Sequence, residues 1–197
     1  ADAPRWIFVQ GNNQKVLNDK TRIFSQFVYW PLKHIFGGMT SSYSTTYANW
    51  GRSYDGSVDR QIWCPFSGYA AATMANSDQT YAPWWAPAGF TRGRFGGVTD
   101  LAVLPTQKHR DQLYKISMNP VHSFPNEGMV IWGQKTMLKK PSAFDRINVR
   151  RLFLYLEKLV RKSMKFYVFE PNTVLTRSAV VNTLTPPFEF VKNTDGM

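Results

Sequence analysis

The chain has 197 residues, 43% hydrophobic and 15% aromatic, enough apolar surface to offset the chain entropy lost on ordering, which excludes global disorder. Its longest apolar stretch, Ile23 to Phe36, is broken by Gln26, Lys33 and His34 and falls short of the roughly 20 apolar residues of a membrane-spanning helix. A single cysteine, Cys64, excludes an internal disulfide and fits assembly in a reducing cytoplasm, while a net charge of +11 favours acidic partners.

Arg5-Trp-Ile-Phe-Val-Gln10 before Gly11-Asn-Asn13 reads as a buried strand and a turn. From Asp19 to Phe36 the apolar positions recur at helical spacing, with Pro31 as a break or kink and Gly37-Gly38 as the end. Ser41 to Asn49 alternates Tyr43, Thr45 and Tyr47 with polar neighbours, the pattern of a half-exposed strand. Cys64 to Ala75 is rich in small residues behind Pro65 and predicts a closely packed helix.

Residues 82–94 carry two prolines and several glycines among aromatics, so an ordered loop is expected. Thr106 is a good N-cap for a helix over Gln107 to Met118, which Asn119-Pro120 should stop. Gly128 to Thr136 reads as a strand. Arg146 to Met164 carries the clearest helical pattern, with Val149, Leu152, Phe153, Leu156, Leu159 and Val160 on one stripe and Glu157 four residues before Arg161. Lys165 to Glu170 predicts another strand, and a helical stretch begins at Pro171-Asn-Thr until Pro186-Pro187 interrupts it. Helices alternating with short strands favour an α/β fold, with α+β as the variant: a mixed β-sheet flanked by helices.

Between Lys135 and Lys165 ten basic residues face only two acids, Asp145 and Glu157. Such a density is either a solvated helix face or a surface for acidic partners.

Pro141-Ser-Ala-Phe-Asp-Arg-Ile-Asn-Val-Arg-Arg-Leu-Phe153, with Ile131-Trp-Gly-Gln-Lys-Thr136 before it and Phe169-Glu-Pro-Asn172 after it, resembles the C-terminal core of contractile-tail sheath proteins of large tailed phages. Trp85-Ala-Pro-Ala-Gly-Phe-Thr-Arg-Gly93 resembles the family's Ser-Pro-Ala-Gly loop, and Arg110-Asp-Gln-Leu-Tyr114 with Asn119-Pro120 the helix that follows it. The likeness is clear from Trp85 to Arg177 and looser upstream. It implies structural roles for Gly89, Gly133, Asp145, Arg146, Asn148, Pro171 and Asn172.

The resemblance further implies a fragment in which residues 1–99 end the central α/β sheath domain and residues 100–197 form a truncated C-terminal domain packed on it. The implied role is structural: six-fold rings stacked helically around a tail tube, contracting to drive the tube through the host envelope during genome delivery. The implied partners are other sheath subunits, the tube protein, and baseplate and tail terminator proteins. Nucleic-acid contact and membrane insertion are not expected, and neither is a cofactor or a metal. The implied location is the virion tail sheath, assembled in the bacterial host cytoplasm. Without flanking arms the fragment is expected to be a monomer.

Within that reading, Arg150, Arg151, Lys158, Arg161 and Lys162 are the expected subunit or tube interface, because long basic side chains can re-pair across an acidic face. Asp145 and Arg146 are expected to fix the helix start. A sheath of a phage-derived contractile injection system is one alternative. Nucleic-acid binding is the other, because Trp132, Phe153, Tyr155, Phe166 and Tyr167 interleave with the basic residues, although these aromatics are expected mainly in the core.

Catalysis finds no support. His34, His109 and His122 lack a nucleophile-elbow context and are expected on helix surfaces or loops, and Cys64 before Pro65 reads as a small apolar group. The Gly93–Gly97 stretch lacks the Lys-Ser/Thr ending of a phosphate-binding loop.

Overall fold

The computed structural model describes residues 40–196. The strand expected at Arg5–Gln10 and the helix expected from Asp19 to Phe36, with its glycine end, lie outside them, as does His34. The described residues form an α/β fold with two three-stranded sheets. In the first, β1 (Tyr47–Ala48) runs parallel to β5 (Asn119–Phe124), which pairs antiparallel with β6 (Gly128–Ile131), so the sheet is mixed. In the second, β2 (Trp50–Asp55) is central between β3 (Arg60–Pro65) and β4 (Asp100–Leu101), all antiparallel.

Asn49 joins the two sheets. Its amide donates to the Val103 carbonyl at 2.7 Å and accepts from the Val103 N–H at 3.2 Å, so a side chain completes the pairing that backbone supplies elsewhere. The main core lies under both sheets, where Phe66 and Ala70 of α1 (Phe66–Thr80) meet Leu101, Val121 and Ile131. Phe66 also packs edge-on against Phe95 at 5.0 Å. Helix α3 (Gln107–Lys115) closes a smaller cluster of Ala48, Leu113 and Met118. Strand pairing and the main core therefore both cross residues 99–100.

The expected helix at Cys64–Ala75 begins at Phe66 and extends to Thr80. Cys64 and Pro65 instead end β3, and Pro65 caps the helix from extended backbone. Its exposed side keeps Ala71, Ala72 and Ala75, so alanine here reflects helix propensity as much as close packing. Thr106 caps α3 as expected: its hydroxyl accepts from the His109 N–H, while the His109 imidazole accepts from the Thr106 N–H. His109 is buried at 4% exposure, and His122 lies in β5, so neither is the surface helix or loop residue expected. Burial pushes both imidazoles below their ordinary pKa.

Helix α3 ends at Lys115, short of the expected Met118: Ile116 caps it and Ser117 turns to φ of +62°, so Asn119-Pro120 does not stop it but opens β5, where both residues are buried. Pro120 precedes the register with β6, which begins at Val121 opposite Ile131, and its carbonyl accepts from the Trp132 N–H at 2.9 Å. The strand expected over Gly128–Thr136 stops at Ile131, and the Ser41–Asn49 strand shortens to Tyr47–Ala48.

Two expectations fail near the C-terminal end. Lys165–Glu170 is not a strand but a single 3-10 turn, Lys165–Tyr167, followed by a further turn and a bend. A strand needs a neighbour's backbone to pair with, and among the described residues none lies alongside. Nor do Pro186 and Pro187 interrupt α5 (Val174–Asn193). The carbonyls deprived of donors belong to Asn182 and Thr183, both exposed, where water can replace the missing N–H groups.

Candidate interaction surface

Helix α4 (Ile147–Met164) carries most of the predicted basic face, and its start is fixed by a knot of backbone and side chain. At the centre is Asn119, fully buried at 0%. Its amide donates to the Lys135 carbonyl at 2.8 Å and the Thr46 carbonyl at 3.2 Å, and accepts from the Lys135 N–H at 2.6 Å. Gly133 lets this happen: a Cβ there would stand 2.8 Å from the Asn119 Oδ1 and 3.0 Å from the Pro120 Cδ.

From Lys135 the chain pairs with the start of α4. The Thr136 N–H donates to the Asp145 carbonyl at 2.8 Å, its buried hydroxyl to the Phe144 carbonyl at 2.9 Å, and the Ile147 N–H to the Gln134 carbonyl at 2.9 Å. Arg146 sits at the N-cap position, pairs with Asp145 at 3.2 Å and donates to the Tyr114 hydroxyl. Asn148, half-buried in the first turn, keeps its Oδ1 enclosed without a hydrogen-bond partner. The motif residues 131–136 and 141–148 are thus two sides of one polar joint.

Gly89 belongs to a different joint. It starts the one-turn helix α2 (Gly89–Arg92) with φ of +82°, a conformation that favours glycine. The turn closes through Gly93, whose N–H donates to the Gly89 carbonyl at 2.8 Å and whose own carbonyl accepts from the Ile131 N–H at 2.9 Å. A Cβ at Gly93 would lie 2.7 Å from the Ala88 backbone. The expected loop over 82–94 is therefore ordered, and this turn ties it to β6. Pro171 and Asn172 are both exposed and brace the start of α5: the Pro171 carbonyl accepts from the Thr176 hydroxyl at 2.8 Å, and the Asn172 Oδ1 from the Arg177 guanidinium at 2.8 Å.

The five basic residues of the predicted interface divide. Arg150 donates to the Ser42 hydroxyl and lies between two rings, 4.3 Å from the Tyr43 centroid and 4.1 Å from that of Phe144. Arg151 pairs with Asp78 of α1. These two tie α4 to the body. Lys158, Arg161 and Lys162 are exposed and form no ion pair among the described residues; the Glu157–Arg161 pair does not close. They stand toward the C-terminal end of α4, where the helix dipole favours positive charge.

The buried side of α4 is narrower than the predicted stripe. Leu152 and Leu156 join Trp84 and Val191 in a third cluster, with Tyr155 and Phe188 against it. Trp84 meets Tyr155 edge-on at 5.4 Å and donates to the Thr194 carbonyl at 2.9 Å. Phe153, Trp132 and Phe166 are 42%, 39% and 84% exposed, so the aromatics of the basic half are not mainly core residues. Among the described residues no group of three or more His, Cys, Asp or Glu could hold a metal ion.

Comparison with known proteins places this architecture. Residues 34–137 match the family described as the phage tail sheath protein central domain. The chain is 47% identical over 140 residues to the tail sheath protein of Vibrio phage KVP40, covering 69% of this chain and 21% of that protein. It is 34% identical over 186 residues to the tail sheath protein of Salmonella phage ViI, covering 94% of this chain and 29% of that protein. The chain thus spans about a fifth to under a third of the curated relatives it matches. Among solved structures, the contracted helical sheath of the anti-feeding prophage superposes with a TM-score of 0.70 at 25% identity, over 80% of this chain and 42% of that one. The sheath complex of an extracellular contractile injection system, also contracted, reaches 0.72 at 24% identity over 81% and 43%, a likeness of fold. With more than half of its residues inside the matched domain and its motif segments forming the joints described above, the chain belongs to the phage tail sheath protein family.

Proposed function

We propose that this chain is the central-to-C-terminal part of a sheath subunit that stacks in six-fold rings around a tail tube and contracts to drive the tube through the host envelope. Membership in the sheath family is the observation that carries this reading. The division of the basic helix supports it: Arg150 and Arg151 are spent inside the subunit, while Lys158, Arg161 and Lys162 remain open to an acidic neighbour. Open cations on a rigid helix suit a contact that must re-pair during sliding.

The role is mechanical rather than enzymatic, the location is the tail sheath of the virion assembled in the host cytoplasm, and the further partners are the tube, baseplate and terminator proteins. The described residues of the parts expected at 1–99 and 100–197 act as one body through their shared core. A phage tail is favoured over an injection device, because the curated phage sheaths are more similar in sequence than the injection-system structures. The nucleic-acid alternative draws no support from the family match or from the sheath relatives.

Charge reversal at Arg161 and Lys162 in the full-length subunit tests the reading. The expected result in electron micrographs is loss of sheath assembly or arrest in one length; tails that still assemble and contract normally overturn the assignment of these residues.

A further inference from the structure

A second surface lies beside the start of α4, where Arg146 meets Tyr114. Phe90 of α2, Phe124 at the end of β5 and Trp132 just past β6 form a closed triangle, with ring centroids 4.8 to 5.0 Å apart. Phe90 and Trp132 stay about two-fifths exposed. Two hollows flank Trp132 and share Tyr114 as a wall. One, of about 310 Å³, is floored by Ala86, Ala88, Gly89 and Gly133; the other, of about 210 Å³, opens toward Arg110 and Asp111.

Cations stand at the rim on aromatic faces. The Lys135 Nζ lies 4.2 Å from the Tyr114 centroid and the Arg110 guanidinium 5.7 Å from that of Phe124, and neither forms an ion pair among the described residues. Arg146, also against Tyr114, is already paired with Asp145. A cation seated on a ring is held in position while most of its N–H donors remain open. Aromatic walls, a small hollow and waiting donors make the composition of a binding hot spot.

The same chain carries a segment of matching chemistry. The turn between β2 and β3 exposes Val58 at 52% and Tyr54 at 58% beside two carboxylates. Asp55 accepts from the Ser57 N–H at 2.9 Å and its hydroxyl at 2.6 Å, and Asp59 accepts from the Tyr54 hydroxyl, so the tip is ordered from within. Arg60 stands opposite Asp55 in the hairpin, and neither Asp55 nor Asp59 forms an ion pair among the described residues. The acidic tip and the Lys135 and Arg110 cations are opposite in local charge, which favours contact between them.

We propose that the β2–β3 tip of one subunit docks on the Trp132 face of the next, with Val58 in the hollow floored by Ala86, Ala88, Gly89 and Gly133 and Asp59 against Lys135 and Arg110. Tip and face share no residue, so a contact made in one direction is head-to-tail and, repeated, generates a ring or a helix. The inference rests on the assembly reading above and adds the residues that meet.

The test places a benzoylphenylalanine photo-cross-linker at Val58 of the full-length subunit, assembled into sheaths from a mixture of light and 15N-labelled copies. Cross-linked peptides pairing Val58 with residues 86–90 or 132–135 in mixed isotopic form are expected, as is at least a tenfold loss of that product with Lys135→Glu. A return of the product when Lys135→Glu is combined with Asp59→Lys separates charge contact from misfolding. Sheaths that assemble but cross-link elsewhere, or only within one subunit, overturn the docking and leave the sheath reading intact. If the unmodified subunit forms no sheath at all, it is the assembly reading that fails.

Discussion

The sheet-bearing body and the α4–α5 end treat their polar and apolar groups in opposite ways. In the body, fully buried side chains include polar ones, and Asn119 and Thr136 meet backbone groups that would otherwise be stranded. At the helical end α5 buries only Val191, while Val174, Leu175, Val181 and Phe190 are more than half exposed. The preceding turn leaves Phe169 almost bare at 99%. The contrast teaches that order in the body comes from satisfied polar joints around a closed core, whereas the helical end is held mainly by one small cluster around Trp84.

The largest effect is expected at the joint. Asn119→Ala strands the Lys135 N–H and carbonyl in a dry site and should cost roughly 3 to 4 kcal/mol by denaturant unfolding; a loss under about 1 kcal/mol would remove the distinction between the two regions. Next is Leu152→Ala in the Trp84 cluster, at about 2 to 3 kcal/mol, against less than about 0.5 kcal/mol for Leu175→Ala on the outer face of α5. Equal losses would mean that the outer face is covered in solution.

Within the basic helix, Arg150→Ala should cost about 1 to 2 kcal/mol through its two ring contacts, whereas Arg161→Ala should be near zero. The smallest effect is a pH dependence at α3. Because burial lowers the His109 pKa in the fold, the unfolded chain takes up the proton first. The stability from neutral His109 is complete above the ordinary imidazole value of about 6.5 and is lost as pH falls below it toward the lowered folded value. Protonation also removes the acceptor that receives the Thr106 N–H. His109→Gln, which can preserve the capping box, should flatten the melting-temperature difference between about pH 7.5 and 5.5, an effect of about 1 kcal/mol or less.

Legibility in the sequence follows the range of the interactions involved. Helices α3 and α4 are readable because caps and periodicity are local: Thr106 and Arg146 stand where the pattern places the ends. The β2–β3 hairpin is fainter, although Asp55-Gly56 between alternating residues is a turn signal. Lys165–Glu170 has strand composition without a strand to pair with, and Pro186-Pro187 breaks the pattern without breaking the exposed helix. The basic set is visible as charge, but its partition depends on Ser42, Tyr43 and Asp78, which are far from α4 in sequence.

By itself, then, the sequence determined the α/β alternation, the capped helices, the basic excess on α4 and the family resemblance, because each is written in neighbouring residues. Only the tertiary structure decided that Asn119 and Gly133 form one joint, that Arg150 and Arg151 face inward while Lys158, Arg161 and Lys162 do not, and that Trp132 lines an open hollow. Those outcomes depend on which distant groups arrive beside a side chain. Burial and pairing are properties of that arrival and not of the residue alone.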